Sequence, residues 1–335
     1  MREYGSFLEL DLRSGREYHC GNNVIRLNTA RCGIYYALRV LGLKKVMMPF
    51  YQCDCVRNYL MANGIEVSYY SIDQNLLPVL PRPPESDTAL LMVNYFGILP
   101  AKMFCDYAAQ YRNLIVDHAQ AFYDRPVDGA LNVYSARKFF GVPDGSYVVG
   151  PGVGENSDGI CDFIIPEDSS ADTALFLLKR IESGCEAAYG LRMQNEKRLD
   201  ASGLRRMSLL TRRLLTNVDY DFIRMRRIKN YALCRALYHD INLLAPDLLN
   251  CGEECVPMVY PLVIRDEAIL DYLHRNKVFT GRWWSYLKNE VPQDSMEMFL
   301  SRYLLPLPID QRMESEDIRH IYYLITAHCG NHGGG

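Results

Sequence analysis

No run in this 335-residue chain approaches the roughly 20 apolar residues that a helix needs to cross a bilayer, so a helical membrane protein is excluded. Neither sign of charge dominates: 37 Lys and Arg face 40 Asp and Glu, and a net charge of −3 argues against nucleic acid or an anionic membrane as partner. The start, Met-Arg-Glu-Tyr-Gly-Ser-Phe-Leu-Glu, carries early acids and no apolar core, so it does not read as a signal peptide. The eleven cysteines are odd in number and irregular in spacing, unlike a disulfide scaffold, and reduced thiols in the cytoplasm are expected. Cys53-Asp-Cys55 and Cys251-Gly-Glu-Glu-Cys255 each lack the two further ligands of a zinc site, so no metal is expected. Gly150-Pro-Gly-Val-Gly lacks the Lys-Ser/Thr of a phosphate-binding loop and reads as a turn. No internal repeat is visible. What remains is a length that suits two ordinary domains.

Between these absences, strand-like and helix-like segments alternate. Residues 29–41 put Ile34, Ala37, Leu38 and Leu41 on one face and stop at Gly42, which predicts an amphipathic helix. Residues 45–49 have a short buried-strand pattern, 66–72 read as another strand, and short apolar runs at 88–94, 114–117, 131–134 and 146–149 read as buried parallel strands, with a helix expected at 56–63. Prolines 78, 81, 83 and 84 keep 75–86 out of a helix. Residues 171–239 are expected to be mostly helical, with Leu204, Met207, Leu210, Leu214 and Val218 along one face. A strand at 258–264, a helix at 267–276 and a last helix at 315–328 predict a small α+β unit. The expected division is a large domain over 1–225, with 171–225 as its helical link, a small domain over 226–329, and a disordered tail at 330–335.

Sheets of this kind bind ligands at the carboxyl ends of their strands, where Asn94, Asp117 and Ser135 fall. Leu114-Ile-Val-Asp117-His-Ala-Gln120 ends an apolar run in an acid. The next run, Val133-Tyr-Ser135, passes into Ala-Arg-Lys138-Phe-Phe and a turn through Pro143-Asp-Gly145. An acid at one strand end and a lysine after the next can converge on one ring. That order suits pyridoxal 5′-phosphate (PLP), which needs an amine for its aldehyde and a carboxylate to keep its pyridine nitrogen protonated. Lys138 fits the first role and Asp117 the second, with Gln120 near the ring's 3-oxygen. Ser135 and the helix start at Thr29 and Ala30 suit the phosphate. Each residue also has a plainer use: Asp117 and Thr29 as helix caps, Gln120 as an exposed helical residue, Lys138 as a surface lysine. Their joint order along the chain favours the chemical reading.

These motifs resemble the PLP-dependent aminotransferases of fold type I, in the DegT/StrS-like branch that aminates nucleotide-linked keto sugars. The resemblance runs through Asn28-Thr-Ala30, Met48-Pro49, Asn94-Tyr-Phe-Gly97, Asp117-x-x-Gln120, Ser135…Lys138 with Asp144-Gly145, and Leu307-Pro-Ile-Asp-Gln-Arg312. It implies an α/β three-layer large domain with a mostly parallel sheet, plus a small C-terminal α+β domain. It further implies phosphate contacts from Thr29, Ala30 and Ser135, ring contacts from Asp117 and Gln120, and covalent attachment at Lys138. A glutamate or glutamine donor, a nucleotide-sugar acceptor, a homodimer and a place in cell-surface polysaccharide or secondary-metabolite biosynthesis go with it. The acceptor's diphosphate would draw on the arginines between Arg192 and Lys229 and on Arg282, with Trp283 and Trp284 against the base or sugar. Three features depart from the family: Ser135 and Lys138 are three residues apart where five is usual, Cys53 stands where a stacking aromatic ring is expected, and Ser146 replaces a glycine. The rival readings are another PLP reaction, a lyase or dehydratase, and a non-catalytic binding protein on the same fold; relatives that act as dehydratases lack the lysine.

Overall fold

The computed structural model describes residues 4–154, 164–252 and 255–332. Its frame is an eight-stranded sheet of β1 (Val24–Leu27), β2 (Lys45–Pro49), β3 (Glu66–Ile72), β4 (Pro78–Val79), β5 (Thr88–Val93), β6 (Leu114–His118), β7 (Leu131–Ser135) and β8 (Ser146–Val149). The spatial order is β1-β8-β7-β6-β5-β2-β3-β4. From β3 through β2, β5 and β6 to β7 the pairs are parallel, whereas β8 runs antiparallel to both β7 and β1. Helices α1 (Ala30–Leu41), α2 (Asp54–Ala62) and α3 (Ala101–Gln110) are interleaved with the strands. After the sheet come α4 (Leu175–Ser202), α5 (Leu209–Leu215) and α6 (Tyr220–Tyr238). A two-stranded antiparallel sheet of β9 (Val259–Val263) and β10 (Leu304–Pro308) follows, with α7 (Ile269–Arg275), α8 (Met296–Tyr303) and α9 (Ser315–His332) around it.

The apolar runs are continuous because both faces of the sheet are covered. On one face Ile115, Val133 and Val148 meet Ile34, Ala37 and Leu38 of α1 in one buried cluster. On the other, Met92, Leu114 and Val116 belong to a cluster that extends to Tyr260, Leu262 and Leu305 of the small sheet. Helix α1 is delimited as its sequence predicts: Thr29 accepts the Cys32 N–H, and Gly42 closes the helix at φ 69°. The parallel strands all present their carboxyl ends at one edge of the sheet, and the candidate residues are collected there. Helix α6 passes through residues 225 and 226 without a break and carries the chain from the large sheet to the small one.

Two expectations are corrected. Leu204 and Met207 are not part of a helical stripe. The Asn28 N–H donates to the Arg205 carbonyl (2.9 Å), the Arg206 N–H to Pro166 (2.8 Å), and the Met207 N–H to Arg26 (3.2 Å), so this segment lies extended against β1. Met207 is apolar there for another reason: it is fully buried in the cluster that also holds Tyr134 and Tyr147. The tail is also shorter than expected, since α9 continues through Gly330 to His332; residues 333–335 lie outside the described residues. Among the described residues, no helix is long and apolar enough to cross a membrane.

Candidate active site

Strand β6 alternates sides, so Leu114 and Val116 enter one core while Ile115 and Asp117 turn toward the other face. Asp117 is thus delivered, 6% exposed, to the carboxyl edge of the sheet. Its Oδ1 accepts the Ala119 N–H (2.8 Å) and its Oδ2 the Gln52 amide (2.9 Å). Both donors are neutral. Burial raises the carboxyl's pKa above its ordinary value, and the Lys138 ammonium works in the opposite direction. Gln52 is therefore a candidate site residue that the sequence reading missed. The available signal was its place three residues past the end of β2, at the edge where Asn94 and Asp117 also fall.

Lys138 ends a short helical turn, Ala136–Lys138, that follows β7, and it is exposed into a cleft of ≈ 630 Å³. The turn is pinned from behind. The Ala136 N–H donates to Gly145, and Asp144, fully buried, accepts from the Ser208 N–H (2.9 Å), the Ser208 hydroxyl (2.8 Å) and the Thr211 hydroxyl. Asp144 thereby fixes the start of α5 and does not enter the cleft. A slightly larger hollow, ≈ 690 Å³, lies at the amino-terminal edge of the strands beside Thr88, Leu114 and Leu131, remote from Lys138 and Asp117. The chemistry assigns the site to the smaller cleft.

The remaining candidates are placed as follows. Ser135 is buried at the end of β7, opposite Ser146 in the ladder. Thr29 spends its hydroxyl oxygen on the Cys32 N–H, so an anion at the start of α1 would meet backbone amides from Ala30 onward. Gln120 is buried and its Oε1 accepts the Phe96 N–H (2.8 Å), so what it offers a ring is its amide nitrogen. That contact depends on Gly97, which sits at φ 73°, and a Cβ there would come 2.5 Å from the Gln120 carbonyl and 3.3 Å from the Ala121 Cα. Gly97→Ala is expected to cost about 2–4 kcal/mol of stability. Denaturant midpoints will measure it, and a loss below about 1 kcal/mol would mean that this turn yields freely.

Cations dominate the walls. Arg137 pairs with Glu196, and burial lowers its pKa, with Arg31 and Arg192 near enough to lower it further against the pull of Glu196. Arg31, in the first turn of α1, pairs with Asp200 at 2.7 Å. Arg192 and Arg227 from the basic segment line the cleft, as do Trp283 and Trp284. Arg282 does not: it donates to the carbonyls of Leu304 (2.8 Å) and Asp266 (2.5 Å) and so ties loops of the small unit together. Cys53 also lines the cleft, its sulfur 2.8 Å from that of Cys55. The Cys55 thiol is drawn down to about 7, first by the hydrogen bond from Cys53 and then, against its burial, by Arg31 and Lys138. Tyr51 is not a stacking partner for a ring in the cleft; it is fully buried, edge-on to Trp284 with ring centres 4.4 Å apart.

No family model matches the chain, and no curated protein matches its sequence. Solved structures match its fold over nearly the whole length. The sugar aminotransferase CalS13 from Micromonospora echinospora superposes with a TM-score of 0.63 at 16% identity, covering 91% of this chain and 88% of its own. DesI, solved with its TDP-sugar product, gives a TM-score of 0.57 at 19% identity over 90% of this chain and 79% of its own. DesV from S. venezuelae, solved in complex with a ketimine intermediate, gives 0.54 at 17% identity over 90% and 83%. The chain has their fold: a three-layer α/β unit around a mostly parallel sheet, followed by a smaller unit.

Proposed function

We propose that this chain is a PLP-dependent aminotransferase that moves an amino group from an amino acid, glutamate or glutamine, to a keto sugar carried on a nucleotide. One observation carries the reading: a buried carboxylate, Asp117, whose hydrogen bonds come only from neutral donors, lies close enough to Lys138 for the ammonium to act on it, and Lys138 lines the cleft. A carboxylate so placed is the complement of a protonated ring nitrogen, and its neutral partners leave its charge free for one. The residues therefore fit the cofactor.

When bound, PLP supplies an electron sink for the carbon that carries the amino group. The rest is work for the chain. Asp117, fixed by Gln52 and Ala119, would hold the proton on the ring nitrogen. Lys138 Nζ would anchor the cofactor and, once displaced by the donor's amine, would move a proton at the donor's α-carbon. The amides at the start of α1, with Ser135 and Arg137, would receive the phosphate. Phe140, Trp283 and Trp284 would exclude water from the cleft. The acceptor's nucleotide would lie among the arginines and tryptophans. Thiols at Cys53 and Cys55 stay reduced in the cytoplasm, where the enzyme would work. A second copy would cover the exposed apolar residues Leu178, Ile181 and Tyr189 of α4, as expected of a homodimer.

The test is spectroscopic. The purified protein with PLP is expected to absorb in the visible range, to lose that band on adding glutamate or glutamine, and to regain it with one member of a panel of nucleotide-linked 3- and 4-keto sugars. Recovery only with a free keto acid or simple aldehyde would reject the acceptor, and a protein that binds no PLP would reject the function.

A further inference from the structure

Two thiols at the start of α2 have no part in the chemistry above. Cys53 is the cap residue and still extended (φ −63°, ψ 128°), its side chain making no capping bond, and Cys55 is the second residue of the helix. Side chains two residues apart within a helix point away from each other. Because Cys53 stands outside the helix, its sulfur can turn back to within 2.8 Å of the Cys55 sulfur. Neither residue is fully buried, and Cys53 lines the Lys138 cleft. Cys32, by contrast, is fully buried and its thiol is engaged by the Gly203 carbonyl at 3.2 Å. Among the described residues, no group of three or more His, Cys, Asp or Glu side chains is placed to hold a metal ion, so the pair is a dithiol and not half of a metal site.

The two sulfurs have opposite tendencies. Cys55 sits in the first turn of α2, where the helix dipole favours an anion, and it is hydrogen-bonded by Cys53 and by Arg31, with the Lys138 charge nearby. Cys53 is held as a thiol: its hydrogen bond to Cys55, and then its burial, push its pKa up, and the Asp54 carboxylate lies 3.8 Å from its sulfur. A thiolate in contact with a thiol is the arrangement of an attacking sulfur beside a resolving one.

We propose that Cys53 and Cys55 form a redox-active dithiol that reacts with a low-molecular-weight disulfide and closes to an intramolecular disulfide in the wall of the Lys138 cleft. The Cys55 thiolate attacks one sulfur of the small disulfide and breaks its S–S bond; one half leaves as a thiolate and is protonated by solvent. The mixed disulfide on Cys55 no longer carries the charge that held the Cys53 proton. Cys53 gives up that proton, attacks the Cys55 sulfur and displaces the second half as a thiolate, which takes up a proton. Two protein thiols are oxidised, and one small disulfide is reduced to two thiols. At a reducing poise the pair rests open, and an oxidising shift closes it. Closure removes a negative charge from beside Arg31 and Lys138, so the redox state of the pair is felt inside the cleft. The exchange needs no bound cofactor and stands apart from the aminotransferase reading.

The experiment treats the full-length protein at pH 7 with oxidised glutathione, quenches it with an alkylating reagent and maps the cysteines by mass spectrometry. The peptide that holds Cys53 and Cys55 is expected to lose both alkylation sites, to carry no glutathione, and to recover both sites after dithiothreitol. In Cys53→Ser the glutathione should remain on Cys55. In the parent that adduct should be at least about 10-fold less abundant, because a sulfur already in contact closes at an effective concentration far above that of free glutathione. Cys53 and Cys55 still fully alkylated once the exposed Cys20 and Cys105 have reacted would overturn the proposal. A stable glutathione adduct on Cys55 in the parent would overturn it too, as would a disulfide from either residue to Cys185, the other cysteine that lines the cleft. The parent's map decides the question even where the variant does not fold.

Discussion

Lys138→Ala is expected to fold like the parent, to yield no lysine adduct when treated with PLP and borohydride, and to lose about 10⁴-fold or more in transamination rate. The size follows from two roles falling on one amine: it anchors the cofactor and moves the proton at the donor's α-carbon. Folding should be spared because Lys138 is exposed, and the turn around it is held by Asp144, Ser208 and Thr211 rather than by its own side chain. Peptide mapping after borohydride reduction checks the attachment, and thermal melting checks the fold. A reduced adduct at full yield on another lysine would place the attachment elsewhere and return Lys138 to the surface.

The second large effect is expected at Asp117. Asp117→Asn keeps the shape, and its side-chain oxygen can still accept from Ala119, but it removes the only charge that stabilises a proton on the ring nitrogen. An opposite charge at this range shifts a pKa by about 1–3 units, so the rate should fall about 10- to 10³-fold while PLP is still bound. The same variant should be no less stable, because burial already disfavours the native carboxylate. Single-turnover rates with a fixed amino donor, read beside the bound-cofactor spectrum, separate the two effects. Wild-type rates in the Asn protein would reduce Asp117 to a capping residue for the turn at Ala119. Gln52→Leu should move the rate in the same direction by a smaller factor, since it loosens the carboxylate without discharging it.

Much of the sheet was legible because its strands are buried on both faces. The runs that became β2, β5, β6, β7 and β8 carry that buried signature and end within a residue of the expected places, whereas β3, Glu-Val-Ser-Tyr-Tyr-Ser-Ile, is only partly buried. Strand β1 escaped notice: Val-Ile-Arg-Leu is short and interrupted by Arg26, which is neutralised by Glu17, a contact invisible in a local reading. Helix α8 escaped because its Ser295 cap and eight residues give too little periodicity. In the site, Asp117 and Lys138 could be paired because their spacing along two successive strand ends encodes proximity. Gln52 could not. It acquires its role from a partner far away in the chain, Asp117.

The reversal of β8 has a consequence for the order in which the protein can assemble. Val24 opens the first strand, yet its ladder partner is Val149, and the chain that joins them contains every parallel strand of the sheet. On the ribosome β1 must therefore wait, unpaired, until β8 has emerged, and the edge it finally covers stays open for all of that time. The pairing is long-range and late to form, which makes the closing of this edge a natural slow step in folding and a point where a second chain could intrude. A folding time course followed by hydrogen exchange should find the amides of Val24–Leu27 protected after those of β5 and β6.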